Sequence, residues 1–218
     1  MRFLCLHGIG TSAAIFEAQI AALRYRLGDA HEYEFIEGSL ESPPAKGIEE
    51  VFGKQEAYYA YFDASVTNIL KAVNDLAEFL DTEGPFDGII GFSQGGSLAT
   101  TLMAGVERGL IEARIKCLIL LSCGMPWDLA ALKAGESRRL TPEQDGGCIT
   151  IPTAHFWGQN DLEGFAGNHD VALLCDESSR VEVVHNAGHG VPSGKHLQEL
   201  DAMVAAVNLT FERAEIKN

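Results

Sequence analysis

The chain has 218 residues, 46% hydrophobic and 22% charged, the balance of an ordinary globular fold. No apolar run approaches the roughly 18 residues that suggest a bilayer span. A formal net charge of −15 repels phosphate backbones and anionic lipid, so nucleic acid and membrane are poor partners and a large anionic substrate needs a local positive patch. Five cysteines, odd in number and without CxxC spacing, predict reduced thiols and a cytoplasmic setting.

Short apolar runs alternate with longer amphipathic stretches, which predicts an α/β fold with a parallel sheet. Arg2 to Leu6 reads as the first strand, since His7-Gly8 cuts it too short for a signal-peptide core. A helix from Ser12 to Leu27 and a strand from Tyr33 to Ile36 follow. Glu41 to Phe62, with Pro43-Pro44 and the aromatics Tyr58, Tyr59, Tyr61 and Phe62, fits neither period and reads as an excursion above the sheet. Next come a helix from Ser65 to Leu80, a strand from Gly88 to Phe92, a helix from Ser93 to Arg108 and a strand from Lys116 to Ser122. Gly124 to Gly147, with Trp127 and mixed charges, is a second excursion. The chain closes with strands at Thr153 to Trp157 and Val181 to Val184 and helices at Asn168 to Cys175 and Lys195 to Phe211. No repeat, low-complexity tract or linker divides it, so residues 1–218 read as a single domain.

Gly91-Phe92-Ser93-Gln94-Gly95 matches GxSxG, the elbow in which a tight strand-to-helix turn displays a serine hydroxyl. Residues two before and two after the serine approach each other there, leaving room only for glycine. The pattern alone arises by chance. Ile89-Ile90 before it and Leu98 to Ala104 after it supply the strand and helix that the turn requires.

A serine hydroxyl needs a base, and histidine suits the task. His189 follows the last predicted strand in the glycine-bracketed loop Asn186-Ala187-Gly188-His189-Gly190-Val191-Pro192. His7 is read as shaping the first turn. His185 and His189, four apart, have the spacing of metal ligands on a helix, but here they straddle a strand end, so no metal is expected. The order Ser, Asp, His calls for a carboxylate between positions 93 and 189. Asp161, just beyond the strand at Thr153 to Trp157, fits best; Asp128 and Asp170 compete, each otherwise a turn or helix-start carboxylate.

The oxyanion formed in acyl transfer calls for two backbone donors. These are the Gln94 amide and one from the first turn, read as Ile9 with Gly10 the alternative. Tyr58, Tyr59, Tyr61, Phe62, Trp127 and Phe165 are candidates for an apolar acyl pocket, or else core residues.

Cys5-Leu6-His7-Gly8, the Tyr58-to-Phe62 aromatics, Gly84-Pro85-Phe86-Asp87-Gly88-Ile89-Ile90-Gly91-Phe92-Ser93-Gln94-Gly95-Gly96 and Gly188-His189-Gly190-Val191-Pro192 together resemble the fungal-type family of serine hydrolases (FSH). The resemblance implies a compact α/β-hydrolase fold, about six mostly parallel strands without a separate lid domain, acting on a small-molecule ester or thioester. Several relatives release polyketides from the carrier domain of their synthase, so an acyl carrier protein domain is the implied presenter. The family pattern falls on Ser93, Asp161 and His189, while Gly158-Gln159-Asn160-Asp161-Leu162 departs from its usual wording. The expected activity is ester or thioester cleavage through an acyl-enzyme, with no cofactor. Acyl transfer by the same residues, or a catalytically silent binding protein, are the alternatives, and oligomeric state is open.

Overall fold

A computed structural model describes residues 1–161 and 167–216. In chain order, β1 (Arg2–Leu6) leads into α1 (Ala13–Gln19), α2 (Ala21–Leu27) and β2 (Glu32–Ile36). A short pair, β3 (Leu40–Glu41) and β4 (Tyr59–Ala60), brackets α3 (Ile48–Phe52). Then follow α4 (Val66–Thr82), β5 (Gly88–Phe92), α5 (Gln94–Glu107), β6 (Cys117–Leu121), α6 (Leu129–Lys133) and α7 (Pro142–Asp145). The last elements are β7 (Thr153–Gly158), α8 (Asn168–Leu173), β8 (Arg180–His185) and α9 (Leu197–Ile216). Six strands form one parallel sheet in the order β2-β1-β5-β6-β7-β8, and β3 pairs with β4 antiparallel.

The two-residue period of each strand divides its side chains between two cores. One row across the sheet, Phe35, Cys5, Ile90, Ile119, Ala154 and Val181, is in register and packs with Phe16, Leu23, Met203 and Val207 of α1, α2 and α9. The adjacent row, Leu4, Ile89 and Leu118, faces the other way and meets Ile69 and Val73 of α4 and Leu98 and Leu102 of α5. Burial on both faces explains why β5 and β6 are nearly continuous apolar runs. Cys5, Cys117, Cys123 and Cys175 serve as small buried hydrophobes, and burial pushes the Cys117 thiol up to about 12. Among the described residues no helix is long and apolar enough to cross a membrane.

The sheet has the predicted six strands, with ends within two residues of the sequence reading. The helix read as Ser12 to Leu27 is two, joined at Ile20, whose φ of −97° and ψ of 8° leave the helical region. Ile20 is fully buried, and the bend lets Phe16 and Leu23 both reach the sheet. The excursions hold the β3–β4 pair and the short helices α3, α6 and α7. Segments of two to five residues are too short for a hydrophobic period to show.

The second excursion is fastened to the C-terminal end of α5 by four interlocked charges. Arg108 reaches Asp145 at 2.6 Å and Asp128 at 3.3 Å, and Arg138 bonds to both aspartates. Asp128 also caps α6 by accepting from the amides of Ala130 and Ala131. Burial opposes ionisation of Asp145, but hydrogen bonds from Arg138, the Thr141 amide and Arg108 outweigh it and hold the carboxyl at about 2, below its ordinary 3.8. A depressed carboxylate stabilises the fold above its unfolded value and loses that contribution as pH falls through the folded one. Wild-type stability, followed by urea melts, should therefore lose roughly 2 kcal/mol from this group between about pH 4 and pH 2. Asp145→Asn should be less stable at pH 7 and lack that part of the acid dependence.

Candidate active site

Because every strand of the large sheet runs the same way, the segments after β1, β5, β7 and β8 open at one edge, where sites of open α/β sheets gather. After β5 the chain turns at Ser93, whose φ of 51° and ψ of −109° lie outside the regions comfortable for an L side chain. The turn is tight enough that a Cβ on Gly91 would sit 2.6 Å from the Gly96 Cα, and one on Gly95 2.3 Å from the Leu6 carbonyl. Backbone bonds hold the geometry: Ser93 N–H to Leu121 O at 2.9 Å, Gly95 N–H to His7 O at 3.1 Å and Ser97 N–H to Ser93 O at 3.1 Å.

His189, on the segment after β8, lies with Nε2 3.1 Å from Ser93 Oγ and Nδ1 2.7 Å from Asp161 Oδ2. The Asp161 side chain is 3% exposed and that of His189 16%, so the carboxylate is screened from water while the ring edge stays reachable. Asn168 Nδ2 donates to the same Asp161 oxygen at 3.3 Å. Asp161 is thus the carboxylate on His189. Asp128 belongs to the ionic cluster, and Asp170 lies in the first turn of α8.

The bond from Gly95 to His7 draws the first turn beside the elbow, so Ile9 and Gln94 both border Ser93. Among the described residues, nothing accepts a hydrogen bond from the amide of Ile9 or of Gln94. Gly10, the sequence alternative, already donates to Tyr59 O at 2.9 Å. His7 is fully buried, and desolvation lowers it to about 4, so its ring is neutral. Its Nε2 accepts from the Gly38 amide at 2.9 Å, which leaves Nδ1–H to donate to Gly8 O at 2.7 Å. It shapes the turn, as read from the sequence.

The aromatic candidates separate. Phe62 lines a cavity of about 340 Å³ beside Ser93, shared with Ile9, Ser97, Met125 and Arg139. Tyr61 is buried against His7, its hydroxyl donating to Ile36 O and accepting from the His7 amide. Tyr58 packs with Ile15 and Ile48. Trp127 lies beneath Arg139. Phe165 falls outside the described residues. The Gln94 side chain accepts from the Tyr61 amide and donates to Phe62 O, both at 2.8 Å, and so pins the aromatic segment over the elbow. A second cleft of about 340 Å³ meets Ser93 from the other side and is bordered by Thr11, Lys46, Phe92 and His189. Sequence reasoning missed Ser97, Met125, Arg139 and Lys46. The only signal for Arg139 was its place in an excursion of mixed charge.

A strained serine within hydrogen-bond reach of an imidazole that is itself held by a buried carboxylate is a constellation suited to nucleophilic attack. The family model described as serine hydrolase (FSH1) matches residues 1–200. The chain belongs to that family. It is therefore an enzyme of the serine hydrolase class. It is 37% identical to the esterase FPY3 of Fusarium mangiferae, across 99% of both chains. It is 38% identical to the esterase alnB of Emericella nidulans, across 98% of both. Among solved structures it resembles Arabidopsis thaliana SOBER1, with a TM-score of 0.62 and 16% identity over 97% of this chain and 99% of that one. It also resembles acyl-protein thioesterase 2 of Zea mays, with a TM-score of 0.58 and 19% identity over 95% and 93%. At those identities the structural likeness bears on the fold, an α/β-hydrolase.

The segments bearing Asp161 and His189 meet where Gly158 faces Gly188, and a Cβ on Gly158 would lie 2.1 Å from the Gly188 carbonyl oxygen. Gly158→Ala should force them apart and slow fluorophosphonate labelling of Ser93 by roughly 10- to 100-fold. The far-UV circular dichroism should be retained, and labelling at the wild-type rate would show that the close approach is unimportant.

Proposed function

We propose that the protein hydrolyses a carboxylic ester or thioester through an acyl-enzyme on Ser93. The observation that carries this reading is the pair of contacts made by His189, 3.1 Å to Ser93 Oγ and 2.7 Å to Asp161 Oδ2. His189 Nε2 takes the Ser93 proton as Oγ bonds to the acyl carbon, while Asp161 holds the ring with Nδ1–H facing it and steadies the imidazolium. The carbonyl oxygen, now negative, is met by the amides of Ile9 and Gln94, each such donor being worth roughly 10²–10³ in rate. His189 then protonates the departing oxygen or sulfur as its bond to carbon breaks. Water, activated by the same ring, cleaves the acyl-enzyme to the free acid and restores Ser93.

The two clefts divide the substrate. A leaving atom has to lie within reach of His189, and only the cleft bordered by Lys46 and Thr11 includes that ring. The leaving alcohol or thiol is assigned there, and the acyl chain to the cleft bordered by Phe62 and Met125. Both open to the surface, which suits release of an acyl group carried on another molecule. The finer role proposed is release of a polyketide from a carrier-protein thioester, supported by the likeness to fungal esterases and hydrolases.

Ser93→Ala should abolish fluorophosphonate labelling and lower turnover by several orders of magnitude; full activity in that variant would refute the assignment. A series of acyl thioesters and oxygen esters of matched chain length tests the finer role. A clear thioester preference supports carrier release, and equal rates would leave a general esterase.

A further inference from the structure

Arg139 stands apart from the one other arginine of its excursion. Its neighbour Arg138 is spent on Asp128 and Asp145, whereas Arg139 has no carboxylate partner among the described residues. From Nη1 it donates to the Met125 carbonyl and, at 3.3 Å, to Ser97 Oγ. An arginine carries five N–H donors, so among the described residues the Nε and Nη2 edge has no acceptor. The group is held in place: its Cζ lies 3.5 Å from the centre of the Trp127 ring, Arg139 and Trp127 form an antiparallel bridge, and the Trp127 amide donates to Thr101 Oγ1. Desolvation draws Arg139 down to about 10, so it stays charged near neutral pH. A fixed cation in the acyl cleft, within a chain of net charge −15, is placed to attract an anion that the rest of the surface repels.

We propose that the acyl cleft selects an acyl chain bearing its own carboxylate, bound by the free Nε–Nη2 edge of Arg139. This rests on the reading of Ser93 as nucleophile and of this cleft as the acyl side. Ser93, Ser97 and Arg139 line one cavity of about 340 Å³, so the nucleophile and the guanidinium face the same small space. With carbon–carbon bonds of about 1.5 Å, a carboxylate about four to six bonds from the scissile carbonyl stays within a space of that size. Glutaryl, adipoyl and pimeloyl groups have that reach. The phosphate of a phosphopantetheine arm does not, being more than about ten bonds from the thioester and on the leaving-group side, toward Lys46.

The test compares kcat/KM for 4-nitrophenyl glutarate, a half ester, and neutral 4-nitrophenyl pentanoate on wild type, Arg139→Gln and Arg139→Lys. The wild type should prefer the anionic ester, the preference ratio should fall roughly 2- to 5-fold in Arg139→Gln, as an exposed ion contact allows, and Arg139→Lys should restore part of it. Calorimetric binding of monomethyl glutarate to Ser93→Ala, against Ser93→Ala with Arg139→Gln, reads the same contact without turnover. Loss of labelling and turnover in the wild type would sink the nucleophile assignment, while this binding difference would still judge Arg139. Equal use and equal binding of the charged and neutral acyl groups would overturn the proposal. So would a dependence on Arg139 seen with phosphopantetheine thioesters of neutral acyl groups and not with pantetheine thioesters of glutarate.

Discussion

The strained turn at Ser93 is the constraint on which the rest of the site depends. A serine at φ 51° costs on the order of 1–3 kcal/mol unless its surroundings fix it. Here the surroundings do so from three sides. β6 receives the Ser93 amide, the first turn receives the Gly95 amide, and α5 begins by returning Ser97 N–H to the Ser93 carbonyl. The same bonds that hold the strain position the neighbours. The link from Gly95 to His7 brings Ile9 beside Gln94, and the side chain of Gln94 carries Phe62 to the cavity. A displayed hydroxyl, two amides that nothing among the described residues engages and an apolar wall thus follow from one local conformation, and the parallel sheet then brings the segments bearing Asp161 and His189 to the same edge.

Charge is distributed with a purpose that net charge hides. The four charges of Arg108, Asp128, Arg138 and Asp145 neutralise one another where the second excursion meets α5, and removing one partner of such a group costs more than the group itself contributes. Their effect is positional. They tie the excursion to α5, so that Met125 and Arg139 stand over the elbow.

Features governed by local periodicity were legible in the sequence, and those governed by distant contacts were not. β1, β5 and β6 show as apolar runs, the elbow shows as GxSxG with a strand before it and a helix after it, and the order Ser, Asp, His pointed to the residues that meet. The bend at Ile20 has no glycine or proline to announce it, because it arises from the demand that Phe16 and Leu23 both reach one sheet face. Tyr58 and Tyr61 look like pocket residues in a segment that fits no period. Their burial depends on Ile15, Ile48, His7 and Ile36, partners 25 or more positions removed except for Ile48. Arg138 and Arg139 are adjacent and chemically alike, yet one is neutralised and the other faces the cavity. That difference is set by which side of the Trp127 bridge each occupies, information that resides in the fold alone.

The division of the site into two clefts follows from the same asymmetry. In the proposed reaction the elbow is approached from both sides, but the proton returned to the leaving atom comes from one ring at one position, which breaks the symmetry chemically. Once His189 marks the leaving-group side, the other cleft needs features that recognise an acyl chain and not a departing thiol. Phe62 and Met125 offer apolar contact there, which chain length can exploit only weakly, since each methylene is worth about 0.8 kcal/mol. A guanidinium edge adds a different kind of discrimination, because it is met by an anion and not by an apolar chain. Arg139 is therefore where the charge of the acyl group, as distinct from its length, is proposed to be read.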